Sequence, residues 1–366
     1  MKISYIVLKG MPFCGGIERY TEEVGSRLAA RGHKVTVYSM AGESSSTLLY
    51  RGMVIKNVPF IKSRSLSKIT ASFMATMQEC LSGDADIVHF HAFGPAMFCF
   101  LPRLLGRRVV VQGHGLEWKR SRWSIAGRFF LKLTELPSVL FPHALTVVSR
   151  EQRSYLQDKY GRSSIYIPTG VSVPDIAAPK MIIDLGLRGN DYILFAARLV
   201  REKGAHVLID AFRRMKSDLK LVLAGDAEHE ERYKAELRAR AKGDDNILFL
   251  GFATGRLLQE LYSNCAIFVL PSSIEGLPTA LLEAMSYGNC CLVSDIPENV
   301  EAISQLGYTF RSGDVDDLAR KLEYLCTNQN AVNAFKQQAR EYALKNYLWD
   351  GIADKFETFY TSVKKQ

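Results

Sequence analysis

The sequence predicts an α/β protein built as two doubly wound parallel-sheet domains that face a central cleft. Three observations predict it. At 366 residues the chain is too long for one ordinary core. Short apolar strands alternate with stretches of helical spacing. The rhythm pauses once, at the two-proline stretch "GVSVPDIAAPK" (170–180), and then restarts.

In chain order, "KISYIVLK" reads as the first strand. "GGIERYTEEVGSRLAARG" follows as a helix with Ile17, Tyr20, Val24 and Leu28 at helical spacing, ending at Gly32. "KVTVYSM", "ADIVHFHA", "RRVVVQGHG", "HALTVVSR" and "SSIYIPTGV" supply the remaining strands of the first half. After the pause, "YILFAARL" is a strand and "GAHVLIDAFRRMK" a helix. "LKLVLAGD" and "YKAELRARAKG" repeat that pair, and "NILFLGF", "AIFVLPSS" and "CCLVSD" are further strands. The C-terminal "WDGIADKFETFYTSVKKQ" is amphipathic and helical. Domains are expected over 1–173 and 174–345, with 346–366 as a final helix.

Composition narrows the function. No run of 18 apolar residues occurs, which predicts no membrane-spanning helix. "MKISYIVLKG" lacks a longer apolar core and a small-residue cleavage site, so no signal peptide is read there. The seven cysteines form no C-x-x-C pair or zinc-ligand spacing, which favours reduced thiols in a cytoplasm. Adjacent Cys290 and Cys291 belong to a buried strand. Residues 1–173 hold 23 Lys+Arg against 11 Asp+Glu, a balance of +12, and residues 174–366 hold 24 against 27, a balance of −3. A basic first half is expected to meet something anionic. No nucleic-acid motif is present, so lipid head groups or a phosphorylated acceptor are the expected partners rather than nucleic acid.

The chemistry is expected at strand ends, where ligands of doubly wound sheets bind. In "PSSIEGLPTALLEAMSYG" (271–288) a helix is expected to open with Pro278 at its first position, where its missing N–H costs nothing. The amides at such a mouth bind anions. Gly276 allows close backbone approach, with Glu275 before the helix and Glu283 two turns inside it. A diphosphate at the mouth would have one acid on each side, Glu275 near sugar hydroxyls and Glu283 near ribose hydroxyls. Surface glutamates are also ordinary in helices, so the spacing alone leaves both readings open. "ARLVREKG" puts Arg198 and Lys203 after a strand, the cations a leaving diphosphate needs. Two solvated surface cations would look the same. Gly15 and Gly16 can turn bare amides to a ligand, although the dinucleotide fingerprint is absent. His114 sits between two glycines after a strand, where a structural histidine is the ordinary alternative.

Together "GGIERY", "HGLEW", "ARLVREKG", "LAGD", "LGF" and "PSSIEGLPTALLEAMSYG" resemble the retaining glycosyltransferases of family 4, over nearly the whole chain. The last motif carries that family's glutamate pair, Glu275 and Glu283, with seven residues between them. The resemblance implies the GT-B fold, two Rossmann-like domains, and transfer of a sugar from a nucleoside-diphosphate-sugar to an acceptor hydroxyl with retained configuration. It implies that Arg198 and Lys203 neutralise the diphosphate and that Glu283 holds the ribose. Glu275 would face the donor sugar, and Gly276, Leu277, Pro278 and Thr279 would bind sugar and phosphate through their backbone. His114 would touch the transferred sugar near the reacting centre, and Gly16 would approach the phosphates from the other domain. The region around Gly251 and Phe252 would shape the site for the base, and the segment around Tyr347 to Tyr360 would cross back onto the N-terminal domain. Ala266 and Cys290 depart from the family's usual aspartate and proline at positions not expected to touch the donor.

The "HGLEWKRSRW" run resembles enzymes of bacterial surface-polysaccharide assembly, rhamnosyltransferases among them, and a lipid-linked saccharide acceptor is expected with the basic stretch that follows. "EWKRSRWSIAGRFFLKL" interleaves Lys119, Arg120, Arg122, Arg128 and Lys132 with Trp118, Trp123, Phe129, Phe130 and Leu133, as a helix on an anionic membrane would. Peripheral attachment to the inner face of the cytoplasmic membrane is therefore expected. The alternative is a basic helix whose apolar face packs in the core, and "AFGPAMFCFLPRLLG" is read that way. No Asp-x-Asp stands in a metal-like loop, so no metal or other cofactor is expected. A different GT-B enzyme, an epimerase or phosphorylase, and a non-catalytic sugar-nucleotide sensor are the alternatives.

Overall fold

The computed structural model describes residues 1–11, 15–40, 49–63, 66–119, 123–227 and 230–365, apart from the side chains of Val7 and Leu8. Arg120 and Arg122, named above, lie outside the described residues, as does Cys14, one of the seven cysteines. The chain divides into two compact units, one of residues 1–170 with 349–366 and one of residues 171–348. The divisions fall three residues from the expected 173 and 345. The reason is local: the Val171 N–H donates to the Tyr347 carbonyl at 2.7 Å, and Val171 bridges Leu348, so both ends of the second unit meet.

The first unit is built on eight strands: β1 (Lys2–Leu8), β2 (Lys34–Met40), β3 (Leu49–Tyr50), β4 (Met53–Val58), β5 (Ile87–His91), β6 (Arg108–Gly113), β7 (Ala144–Val147) and β8 (Ile165–Tyr166). Their order is β3-β4-β2-β1-β5-β6-β7-β8, and every pairing except β3 with β4 is parallel. Continuous apolar runs form these strands because helices cover both faces. The β3–β4 hairpin was not expected from the sequence. Its two-residue turn has Arg51 at φ 48° and Gly52 at φ 79°, the positive-φ pair that matches strand twist.

Among the described residues these strands are connected by the helices α1 (Gly16–Ala30), α2 (Ser67–Ser82), α3 (Phe100–Leu104), α4 (Ile125–Leu140) and α5 (Arg150–Tyr160). Helix α1 ends two residues before Gly32. The "AFGPAMFCFLPRLLG" stretch is only partly core: Ala96, Cys99 and Pro102 are buried, whereas Leu104 and Leu105 are exposed.

The second unit carries β9 (Tyr192–Ala196), β10 (Lys220–Ala224), β11 (Ile247–Gly251), β12 (Ile267–Leu270), β13 (Cys290–Ser294) and β14 (Tyr308–Phe310), all parallel in the order β11-β10-β9-β12-β13-β14. Its helices are α6 (Ala205–Phe212), α7 (Glu231–Ala241), α8 (Gly255–Asn264), α9 (Thr279–Ser286), α10 (Pro297–Ile303), α11 (Val315–Thr327), α12 (Gln329–Asn333) and α13 (Lys336–Tyr347). Cys290 and Cys291 are buried in β13 as the sequence predicts, and burial pushes the Cys290 thiol up to about 12. In each unit the strand order reverses beside the first strand, between β1 and β5 and between β9 and β12. Those are the crevices where such sheets take ligands.

Helix α4 turns its apolar face outward, as a helix lying on a membrane surface would and unlike the core-packed alternative. Thr134, Glu135, Ser138 and Val139 face inward, while Ile125, Phe129 and Leu133 are 88%, 64% and 54% exposed. Glu135 explains this. Its carboxylate accepts from Trp118 Nε1 (3.0 Å), the Tyr155 and Tyr160 hydroxyls (both 2.6 Å) and Lys159 (3.1 Å). The alternative in which this apolar face packs in the core is therefore set aside. Among the described residues no helix is long and apolar enough to cross a membrane.

The last helix, α14 (Trp349–Lys365), belongs to the first unit and buries Trp349, Ile352, Ala353, Phe356, Phe359, Tyr360 and Val363. Its outer side pairs with α1: Arg27 with Asp350 at 2.6 Å and Arg31 with Asp354 at 2.7 Å. Phe356 has no exposed surface and lies against Tyr20, His89 and Tyr360. Phe356→Ala should destabilise the first unit by about 3–5 kcal/mol, read from the denaturant midpoint.

Candidate active site

The expected residues fall into two groups, one in each unit. In the second unit they gather at the C-terminal ends of β9 and β12. The loop after β9 holds Arg198, exposed, and a short 3₁₀ turn over Arg201–Lys203. Backbone bonds fix it from both sides. The Ala197 N–H donates to the Ala224 carbonyl at 3.2 Å and the Leu199 N–H to the Asp226 carbonyl at 3.3 Å, so Arg198 is held between two anchors after β10. Gly225 makes this contact possible, since a Cβ there would lie 1.9 Å from the Ala197 oxygen.

The same loop is tied to the one after β12. The Ser273 N–H donates to the Glu202 carbonyl at 2.8 Å, and Lys203 Nζ lies 2.5 Å from Glu275 Oε1. Both side chains are largely buried, Lys203 at 17% exposure and Glu275 at 6%. Arg198, Lys203 and Glu275 are thus brought to one switch point, and Glu275 meets Lys203 directly, which the sequence did not indicate.

Helix α9 begins at Thr279, one residue later than expected. Pro278 is its cap, in an extended conformation (φ −76°, ψ 92°), and is not the first helical residue. The extended ψ keeps Pro278 outside the helix, while its carbonyl accepts from Leu281 (3.0 Å) and Leu282 (3.1 Å). No side chain caps this helix and no acid sits in its first turn, so its mouth carries uncompensated positive potential. Gly276, Leu277 and Pro278 form the approach to it, with Leu277 buried. Glu283 is the fifth helical residue, about one turn in rather than two. Its Oε2 accepts from the Tyr262 hydroxyl at 3.4 Å, and Tyr262 stacks on Tyr287 at 5.3 Å. Gly251 (φ 64°) ends β11 and its carbonyl accepts from the Gly225 N–H at 2.7 Å, while Phe252 beside it is exposed.

In the first unit, Gly15 caps α1 and Gly16 opens it. A Cβ at Gly16 would meet nothing within 4 Å, so packing of the chain does not require glycine there. Glu18 stands in the first turn and accepts from the Lys9 N–H at 3.3 Å, which offsets part of the potential that an anion would use. His114 follows β6 and is partly buried. Gln152 holds its loop: with the amide nitrogen toward the Gly113 carbonyl (2.9 Å) and the oxygen toward the Gly115 N–H (3.2 Å), it grips the backbone on both sides of the histidine.

From sequence "ADIVHFHA" reads only as a strand, whereas in the structure its histidines join His114. His91 Nδ1 lies 3.1 Å from His114 Nε2, and His89 stacks on His91 at 4.5 Å. Tyr20 meets the His114 ring edge-on at 5.1 Å. Burial pushes the pKa of His89 and of His114 down to about 3, opposed at His114 by Glu117, and drives His91 well below its ordinary value. All three rings are neutral near pH 7. Two histidines on alternate residues of one strand, Ile87–His91, were the signal available. Among the described residues no group of three or more His, Cys, Asp or Glu could hold a metal ion.

Comparison with known proteins agrees with this arrangement. "Glycosyltransferase Family 4" matches residues 14–173 and "Glycosyl transferases group 1" matches residues 182–342. The O-antigen chain mannosyltransferase C of Escherichia coli is 22% identical, over 95% of each chain. A Campylobacter jejuni N,N'-diacetylbacillosaminyl-diphospho-undecaprenol alpha-1,3-N-acetylgalactosaminyltransferase is 30% identical over 50% of this chain and 47% of its own. The Anabaena HepE structure in complex with UDP-glucose superposes with a TM-score of 0.84 at 17% identity, over 99% of this chain and all of that one.

One close approach ties the site together and can be tested. Gly204 has φ 73°, and a Cβ there would lie 2.1 Å from the Pro271 oxygen. Gly204→Ala should cost at least about 1–2 kcal/mol from the backbone conformation alone, read as a lowered unfolding midpoint, and should weaken donor binding. An unchanged midpoint would show that the two loops are not bound as described.

Two parallel doubly wound sheets, the residues at their switch points and these matches place the chain among the glycosyltransferases of family 4, with the GT-B fold.

Proposed function

We propose that this glycosyltransferase moves a sugar from a nucleoside-diphosphate-sugar to a hydroxyl of a lipid-linked saccharide, with retained anomeric configuration, in assembly of a bacterial polysaccharide or glycolipid. The observation that carries the donor part is the Lys203–Glu275 pair beside the uncapped mouth of α9. A lysine ammonium has three protons, so Lys203 can hold Glu275 and a phosphate oxygen together. Arg198 adds its fork to the same diphosphate, and amides near Gly276 to Thr279 complete the cradle. Glu275 takes donor-sugar hydroxyls, Glu283 the ribose, and the loop of Gly251 and Phe252 borders the base. HepE, a protein of like fold, has been solved with UDP-glucose.

In the reaction the bond from the anomeric carbon to the leaving phosphate breaks as the acceptor oxygen bonds to the same face. The leaving phosphate takes the acceptor's proton. Negative charge grows on the diphosphate, and Arg198, Lys203 and the helix mouth stabilise it, an effect commonly worth about 3–4 kcal/mol per key group. These cations do what a metal would, so the reaction needs no metal or cofactor. His114 meets the transferred sugar as a neutral group, and Gly15 and Gly16 leave room at the start of α1. Glu275→Ala and Lys203→Ala should each lower turnover about a hundredfold or more, roughly 2.7 kcal/mol, in folded protein and with chelator present. The donor used is the nucleotide-sugar that raises the melting temperature most in a panel of UDP-, GDP-, dTDP- and ADP-sugars. Near-normal turnover in either variant would remove that residue from the site.

The acceptor part rests on α4. Outward Ile125, Phe129, Phe130, Leu133, Leu136 and Leu140 lie among Arg128 and Lys132, in the half of the chain with a balance of +12. Apolar wedge and basic flank together suit an anionic lipid surface on the cytoplasmic face. The Campylobacter relative bears the name of an enzyme acting on a diphospho-undecaprenol sugar. The protein should float with anionic liposomes at low salt, and Phe129→Ser with Leu133→Ser should abolish flotation while the fold is kept. Absence of wild-type flotation would end the membrane proposal.

A further inference from the structure

The bonds around His114 determine where its proton sits. On α1 the Thr21 hydroxyl is 2.9 Å from the Ile17 carbonyl and 3.3 Å from His91 Nε2. A carbonyl only accepts, and a hydroxyl has one proton, so the shorter contact uses it. The contact with His91 then needs a proton on His91 Nε2. His91 is neutral, so its Nδ1 is bare and can only accept. Its partner at 3.1 Å, His114 Nε2, must therefore carry the hydrogen. His114 is neutral too, which leaves Nδ1 as a lone pair. Each step follows from the last, because a neutral imidazole has one donor and one acceptor.

We propose that Thr21 and His91 are positioning residues that fix His114 as its Nε2–H tautomer, so that His114 Nδ1 accepts a hydrogen bond from a sugar hydroxyl. The identity of that hydroxyl's owner rests on the role given to His114 above; the tautomer does not. The environment fits a fixed ring. Gln152 clamps the backbone around His114, Tyr20 packs edge-on against the imidazole, and Tyr20 is itself held by a 2.8 Å bond from Gln112 Nε2 to its hydroxyl. His91 is pinned on its other face by the stacked His89. Protonating His91 would turn its Nδ1 into a donor and break the chain of bonds, whereas protonating His114 would leave the chain intact and turn that ring's Nδ1 into a donor. A bare Nδ1 cannot bond an acceptor-only carbonyl or phosphate oxygen, which an N–H there could, so the tautomer sets what chemistry the ring can recognise.

Long-range ¹H–¹⁵N spectra of the full-length protein with labelled histidine test this, with His114 assigned through a His114→Gln variant. The expected wild-type spectrum shows a bare, pyridine-type Nδ1 and a protonated Nε2 at His114. Thr21→Val removes the anchoring hydroxyl and keeps the shape, so both tautomers should then appear. Turnover should fall by up to about tenfold, the worth of one hydrogen bond. A proton on His114 Nδ1 in the wild type overturns the proposal, whatever the activity, and needs no variant to fold. A single Nε2–H form retained in Thr21→Val also overturns it. Mixed tautomers with unchanged turnover would uphold the relay and remove His114 from the donor sugar, which separates the two claims.

Discussion

The second unit is organised by one constraint: two loops from adjacent parallel strands must meet backbone to backbone. Beyond β9 and β12 the Ser273 N–H reaches the Glu202 carbonyl, and Gly204 lies so close to Pro271 that no side chain fits between them. Lys203 and Glu275 then face each other from the two loops with little solvent around them. A largely buried pair adds little stability over an apolar alternative, but removing one partner strands the other charge. The pair is better understood as a device for position. It fixes the Lys203 ammonium against the loop that leads into α9, a helix with no side-chain cap and no acid in its first turn.

The first unit works with the opposite electrostatics. Its crevice is lined by rings and hydroxyls that are neutral because burial makes charge expensive. Helix α14 contributes to that dryness. Trp349 and Phe356 pack on Tyr20, and the Tyr360 hydroxyl sits 2.5 Å from His89 Nδ1. In the role proposed for His114 a neutral ring suits a sugar whose anomeric carbon becomes positive during transfer, since an imidazolium there would repel the developing charge. The C-terminal helix thus covers the rings that neighbour His114.

Much of this was legible in the sequence because strand-forming runs and glycine-bearing loops are local signals. β2 and the β9 loop with Arg198 and Lys203 could be found from a dozen residues each. What escaped depended on contacts between distant residues. The hairpin of β3 and β4 is short, and its turn needs Arg51 at positive φ, which no composition rule suggests. Tyr262 reaches Glu283 from 21 residues away, and Gln152 reaches Gly113 and Gly115 from a different helix. Thr21 and His91, 70 residues apart, carry no motif at all. Pro278 shows a finer limit: proline is common at both the cap and the first helical position, and only ψ separates the two.

Helix α4 shows why periodicity alone cannot say which side of a helix is wet. An apolar stripe opposite a polar one has the same spacing whichever side is buried. Here the polar side is buried, because Glu135 gathers Trp118, Tyr155, Tyr160 and Lys159 around it and Ser138 donates to the Phe93 carbonyl at 2.6 Å. Rotating the helix to bury Phe129 and Leu133 would break those bonds and leave a carboxylate and several hydroxyls to be satisfied anew, each at a cost of about 1–3 kcal/mol. Exposure of the apolar stripe is therefore enforced from within the unit. The exposed stripe and the arginine and lysine beside it are the features on which the proposed anionic surface rests.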